Sequence, residues 1–136
     1  MPRVLGLNLV GVLVATLAFW MVGFVWYGLV FAEIWMEANG VTAETAGAGG
    51  SLYMLGGFVI TLMQVIGIGL VLKWKGVATM GAAVMTAVIL WFFLALPFAN
   101  YAYLYSPAHN TTLLLIDASH LLVGWVVSAV VLSLIK

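Results

Sequence analysis

The chain has 136 residues, 66% of them hydrophobic, with four basic and four acidic residues that cancel to zero net charge. Soluble domains carry about a quarter charged residues, so an ordinary water-exposed globular fold and a broad basic nucleic-acid surface are both excluded. The lack of cysteine excludes disulfides, thiolate catalysis and zinc–sulfur sites.

Four apolar segments follow in order. The first runs from about Leu7 to Phe31 and holds no Asp, Glu, Lys or Arg. It is about twice the ~7–15 residues of a signal-peptide core, which points to a retained span. The second covers 51–72, the third 77–98 and the fourth 112–135. Each reaches the ~20 residues needed to cross about 30 Å of hydrocarbon as a helix. Unbroken apolar runs of this length must satisfy their backbone internally, which means helix, since barrel strands are ~10 residues with alternating polarity. The prediction is one all-α transmembrane domain over residues 1–136, an antiparallel four-helix bundle.

The connections differ in size. Glu33 to Gly50 is long. Ile34, Trp35 and Met36 read as interfacial, and Asn39-Gly40 as a helix stop. Thr42 is expected to cap one short turn before the flexible Gly47-Ala48-Gly49-Gly50. Lys73-Trp74-Lys75-Gly76 is a tight turn, so the second and third helices are predicted to form a hairpin. Pro97 is expected to end or kink the third helix, and Ser106-Pro107 to start the fourth, with Ser as N-cap and Pro in the first turn. Asn110-Thr111-Thr112 matches a glycosylation sequon but lies against the membrane, where the match is accidental.

Orientation follows from the cations. With four crossings, Arg3, Lys73, Lys75 and Lys136 all fall on one side. The positive-inside rule makes that side cytoplasmic, with both termini there, in a bacterial inner membrane. Glu33, Glu37 and Glu44 then lie outside, as does a solvated His109. Trp26, Tyr27, Trp35, Tyr53, Tyr101, Tyr103 and Tyr105 gather at the outer boundary as headgroup-level anchors.

Lipid tails are as apolar as leucine, so helices associate through small residues and a few polar contacts. The inward stripes are expected to be Asn8, Gly11, Ala15 and Ala18; Gly57, Thr61, Gln64 and Gly67; Thr79, Ala82, Ala83 and Thr86; and Asp117, His120, Gly124 and Ser128. Asn8 and Gln64 suit interhelical hydrogen bonds.

Asp117 and His120, three apart on one helix face, form the one constellation that carries chemistry, together with Gln64 as a polar intramembrane residue. Two readings stand. Asp117 lies within the membrane and orients the His120 imidazole for proton relay or ligation. Otherwise Asp117 sits at the outer boundary in the first turns of the helix, where the macrodipole favours it, and His120 bonds a carbonyl or a Tyr hydroxyl.

The run Gly23-x-x-Trp26-Tyr27-Gly28-x-x-Phe31-x-x-x-Trp35-Met36, followed by Gly40 and Thr42-Ala43-Glu44, resembles the N-terminal signature of a bacterial membrane family catalogued as domain of unknown function 1761. Ile116-Asp117-Ala118-Ser119-His120-Leu121-Leu122 falls where that family has its last helix. The family often has Pro at the position of Leu29, Lys at that of Glu33 and Asn at that of Asp117. The resemblance implies a small four-helix membrane protein and no known reaction. Within it, Trp26 and Tyr27 read as a corner fixing the depth of the first helix, with Gly28 admitting a neighbouring backbone.

The leading functional reading is a non-catalytic accessory or scaffold subunit that packs against other transmembrane chains or itself. One alternative is a small oligomeric transporter or channel with Asp117 and His120 as proton-linked groups. Another is a pigment- or haem-binding subunit ligated by His120 alone. No cofactor or metal is otherwise expected. No nucleophile–base pair or phosphate loop supports an enzyme.

Overall fold

The computed structural model describes residues 2–40, 42, 50–107 and 109–136. Asn8 fixes the start of the first helix, α1 (Leu9–Gly23): its side chain accepts from the Val10 N–H at 3.0 Å. Asn satisfies there a backbone donor that has no partner inside the helix. Asn8 is therefore a cap, not the interhelical bonding residue expected, and residues 7–8 lie outside the helix. Arg3–Val4 (β1) and Leu7–Asn8 (β2) instead pair antiparallel. Their turn, Leu5 and Gly6, has φ of 51° and 81°, the left-handed geometry that suits a two-residue hairpin.

Beyond α1 the coil widens into a π-helical segment, π1 (Phe24–Val30), closed by the Phe31 N–H donating to Trp26 O at 2.9 Å. Helix α2 (Ala32–Asn39) then stops at Gly40, whose φ of 67° is left-handed, as Asn39-Gly40 predicts. The expectations for Ala43, Glu44 and Gly47-Ala48-Gly49 lie outside the described residues.

Helix α3 (Gly50–Lys75) runs three residues past its expected end and closes at Gly76, φ 68°. Thr79 caps α4 (Met80–Leu90) by accepting from the Ala82 N–H. Pro97 does not end this span. A second π-helical turn, π2 (Trp91–Ala95), leads directly into α5 (Leu96–Tyr105), so the coil continues through the proline. Pro lacks an N–H and its ring crowds the carbonyl four residues back; a wider turn placed just before it supplies the room. Residues 99–105, expected as loop, are helical for the same reason. Ser106 then terminates α5, its N–H donating to Ala102 O, and does not start the next helix. Asn110 does that, accepting from the Leu113 N–H at 3.0 Å at the head of α6 (Thr111–Leu134).

Four helical spans are long and apolar enough to cross a membrane: Leu9–Val30, Gly50–Lys75, Met80–Tyr105 and Thr111–Leu134. Their outer faces carry exposed large apolar side chains along their length, such as Leu17, Ile60, Phe93 and Leu115. That is the surface of a membrane protein, which hydrocarbon solvates and water would not.

Helix α6 is the hub, packed most extensively on α1 and α4. Gly11 meets Ile135, Phe19 meets Gly124 and Gly23 meets His120, so α1 and α6 pass in opposite directions. Two buried clusters fill the centre: Leu7, Val12, Ala15, Phe19 and Val65, then Ile68, Leu72, Ala83, Ala87 and Ala129. Thr16, Thr61, Thr86 and Ser128 are buried because each hydroxyl donates to the carbonyl four residues back, which satisfies it within its own helix.

The small-residue stripes hold in part. Gly11, Ala15, Thr61, Ala83, Thr86, Gly124 and Ser128 are buried. Gly67, Thr79 and Ala82 are exposed. On α3 the buried face is Thr61, Val65, Ile68, Gly69 and Leu72. Gly69 is the glycine that matters there, since a Cβ on it would lie 2.7 Å from Leu7 Cδ1. The hairpin expectation for α3 and α4 is also modified: despite the tight turn the two helices barely touch, because α3 leans on α1.

Candidate functional site

One turn of α6 collects donors from two other spans. The Tyr27 hydroxyl donates to Asp117 Oδ1 at 2.5 Å, and Trp26 Nε1 donates to Ser119 Oγ at 3.0 Å. From the opposite side Trp91 Nε1 donates to Ala118 O at 2.8 Å. Ser119 Oγ in turn donates to Ile116 O at 3.0 Å. Every residue from Ile116 to Ser119 thus accepts a side-chain hydrogen bond.

The π-helical winding explains how neighbours Trp26 and Tyr27 both reach α6. Successive residues of an α-helix point about 100° apart, and an i→i+5 turn narrows that angle. Both donors then fall on one face. Trp91 likewise opens the second π segment, so both widened turns sit where an aromatic donor must meet α6. Buried Tyr and Trp need such partners for their polar tips.

His120 completes the cluster through its ring. Its centroid lies 4.9 Å from that of Tyr27, nearly perpendicular, and 5.5 Å from that of Phe19. Tyr27 also meets Trp35 edge-on at 6.0 Å, which ties α2 to the same cluster. His120 Nε2 faces α1: a Cβ on Gly23 would stand 3.2 Å from it. Among the described residues neither ring nitrogen of His120 takes a hydrogen-bond partner.

Asp117 and His120 are brought together with Tyr27, but not as a carboxylate–imidazole pair. Asp117 accepts from Tyr27, so it does not orient His120, and His120 does not bond the Tyr hydroxyl or a carbonyl. Tyr27 and Trp26 are more than headgroup anchors, since both reach across to α6. Gly28 admits no neighbouring backbone: the nearest group to it is the Phe24 ring of its own helix, and Gly23 takes the close approach instead. Met36 is half-buried. Gln64 stands apart from this cluster and accepts from Trp125 Nε1 at 2.8 Å, an interhelical bond of the kind expected. His109 is exposed, with Nδ1 2.9 Å from Tyr103 O. Among the described residues no three His, Asp or Glu side chains come together as a metal-holding group.

Ser119, Trp91 and Trp125 escaped sequence reasoning as partners. The available signal was the pair of mid-span tryptophans, whose N–H groups cannot be left unpaired in hydrocarbon.

The geometry joins the two segments that carry the sequence resemblance, Trp26-Tyr27 and 116–120. The family model described as Protein of unknown function (DUF1761) matches residues 10–133. The chain belongs to this family. The match takes in all but the first residue of α1, both π segments, α2 to α5 and all but the last residue of α6, so for this DUF1761 member the clasp that Trp26, Tyr27 and Trp91 form on residues 117–119 of α6 lies inside the family domain. No curated protein and no solved structure matches it.

Proposed function

We propose that this DUF1761 protein is a non-catalytic subunit of a membrane assembly, docking another transmembrane chain or a second copy of itself along the first half of α3. The observation that carries this reading is the state of residues 50–60. The buried residues of α3 begin at Thr61; of residues 50–60 only Gly57 and Phe58 are half-buried, and the others are exposed. Leu52 and Tyr53 are 73% and 72% exposed. Among the described residues, nothing beyond their own stretch of helix lies within 4 Å of where a Cβ on Gly56 or Gly57 would be. Small residues on an open helix face let another helix approach closely, which is how transmembrane helices associate.

The clasp supports the same reading. Asp117 is occupied by a Tyr hydroxyl and holds spans together, which favours a scaffold over a proton-linked Asp117–His120 pair. Ligating a haem or chlorin through His120 Nε2 would require α1 and α6 to part at Gly23.

We place the chain in a bacterial inner membrane as an antiparallel bundle with both termini cytoplasmic. The support is the collection of Arg3, Lys73 and Lys136 around one cavity, while Glu33 and Glu37 belong to α2 near the other end of α1. Because the chain has no cysteine, single-cysteine variants test both points. In intact cells a membrane-impermeant maleimide should label Glu37→Cys and not Trp74→Cys; the reverse pattern would invert the orientation.

In native membranes, Gly57→Cys should form a disulfide-linked dimer or crosslink to another membrane protein, and Leu115→Cys on α6 should not. A chain that stays uncrosslinked and strictly monomeric in mild detergent would remove the subunit reading.

A further inference from the structure

We propose that the cavity at the end of the molecule where β1–β2, α3 and α6 meet is a binding site for the phosphate headgroup of an anionic phospholipid. The cavity has a volume of about 300 Å³ and is rimmed by Arg3, Lys73 and Lys136, which come from the first, second and last parts of the chain. Its wall is apolar, with Leu7, Val77 and Leu132. Cations above an apolar wall match the two ends of a lipid, a phosphodiester and the start of its acyl chains.

The cations are held in place but not neutralised. Arg3 Nη1 donates to Gly6 O at 2.9 Å, Lys73 Nζ lies 3.4 Å from Leu5 O, and Lys136 Nζ donates to Ala78 O at 3.2 Å. All three acceptors are neutral backbone carbonyls, and no described Asp or Glu lines the cavity. Counting a free α-carboxylate on Lys136 against them still leaves positive charge in excess. The hairpin is what builds this rim. Its left-handed turn at Leu5 and Gly6 points the Leu5 carbonyl to Lys73, and the Lys73 ammonium occupies the space a Cβ on Gly6 would need. The fourth cation, Lys75, lies outside the cavity and donates to Thr86 Oγ1 at 3.2 Å, so it serves as an internal control.

A lipid is favoured over free phosphate because the wall is apolar and the two helices that the cavity adjoins, α3 and α6, are membrane-length. The test is native mass spectrometry of the full chain in mild detergent, titrated in parallel with phosphatidylglycerol, with phosphatidylcholine and with inorganic phosphate. The expected result is retention of one phosphatidylglycerol at least tenfold over phosphatidylcholine. Arg3→Gln/Lys73→Gln/Lys136→Gln should lose that preference, and Lys75→Gln should keep it. Circular dichroism of the triple variant checks that it is folded; if it is not, Lys136→Gln alone should still cut the preference several-fold. Equal retention of the two lipids, an equal loss in Lys75→Gln, or displacement of phosphatidylglycerol by millimolar inorganic phosphate would each overturn the proposal.

Discussion

Replacing Gly124 with Ala is expected to lower the unfolding free energy in detergent by about 1–3 kcal/mol, the usual cost of adding a carbon to a packed core. The contact at stake joins α1 and α6. A Cβ at Gly124 would overlap the Phe19 ring at Cε1, Cδ1 and Cζ, and Phe19 is 1% exposed. The ring has little room to retreat, since it already lies against His120. Phe19→Leu removes the obstacle, so Phe19→Leu/Gly124→Ala should cost less than the sum of the single changes. Gly67→Ala is the control: among the described residues nothing beyond its own stretch of helix lies within 4 Å of its added Cβ, and the helix propensity gain of up to ~1 kcal/mol should leave it neutral or slightly stabilised. Reversible unfolding in mixed micelles, followed by Trp fluorescence, measures all four. Wild-type stability in Gly124→Ala would mean that α1 and α6 do not pack this closely.

Tyr27→Phe is expected to cost about 1.5–3 kcal/mol, the range for hydrogen bonds to charged groups. The change deletes one hydroxyl and keeps the ring that packs on His120 and Trp35. It leaves the half-buried Asp117 without its donor. Asp117→Asn should cost less, because the amide oxygen still accepts from Tyr27 and no charge is left unpaired. In Tyr27→Phe/Asp117→Asn most of the Tyr27→Phe penalty should be absent, giving a clear coupling energy in the double-mutant cycle. A Tyr27→Phe penalty near ~0.6 kcal/mol, the average for interhelical bonds in membranes, would reduce the pair to an ordinary polar contact.

Both experiments address the same architecture. Gly124 and Phe19 set how near α1 and α6 approach. Trp26, Tyr27 and Trp91 then lock one turn of α6 to both neighbouring spans. Among the described residues the first half of α3 is largely exposed, and it is the face that the proposed docking would use.

The sequence by itself determined the solvent and the spans. Apolar runs of about twenty residues without charge have one way to satisfy their backbone in hydrocarbon, so four helices followed from composition and length. The placement of Arg3, Lys73 and Lys136 at one end followed from counting crossings, and Asn39-Gly40 marked a true stop. Tertiary structure decided the rest. Pro97 reads locally as a breaker, and only a π turn upstream, formed where Trp91 reaches α6, lets the helix continue. Asn8 reads as an intramembrane polar residue until the β1–β2 hairpin shows where the helix begins. Asp117 and His120 share a face by spacing, but spacing cannot say that a tyrosine ninety residues earlier in the chain takes the carboxylate. Helical periodicity records which residues face the same way; the partner they face is set by how the spans pack.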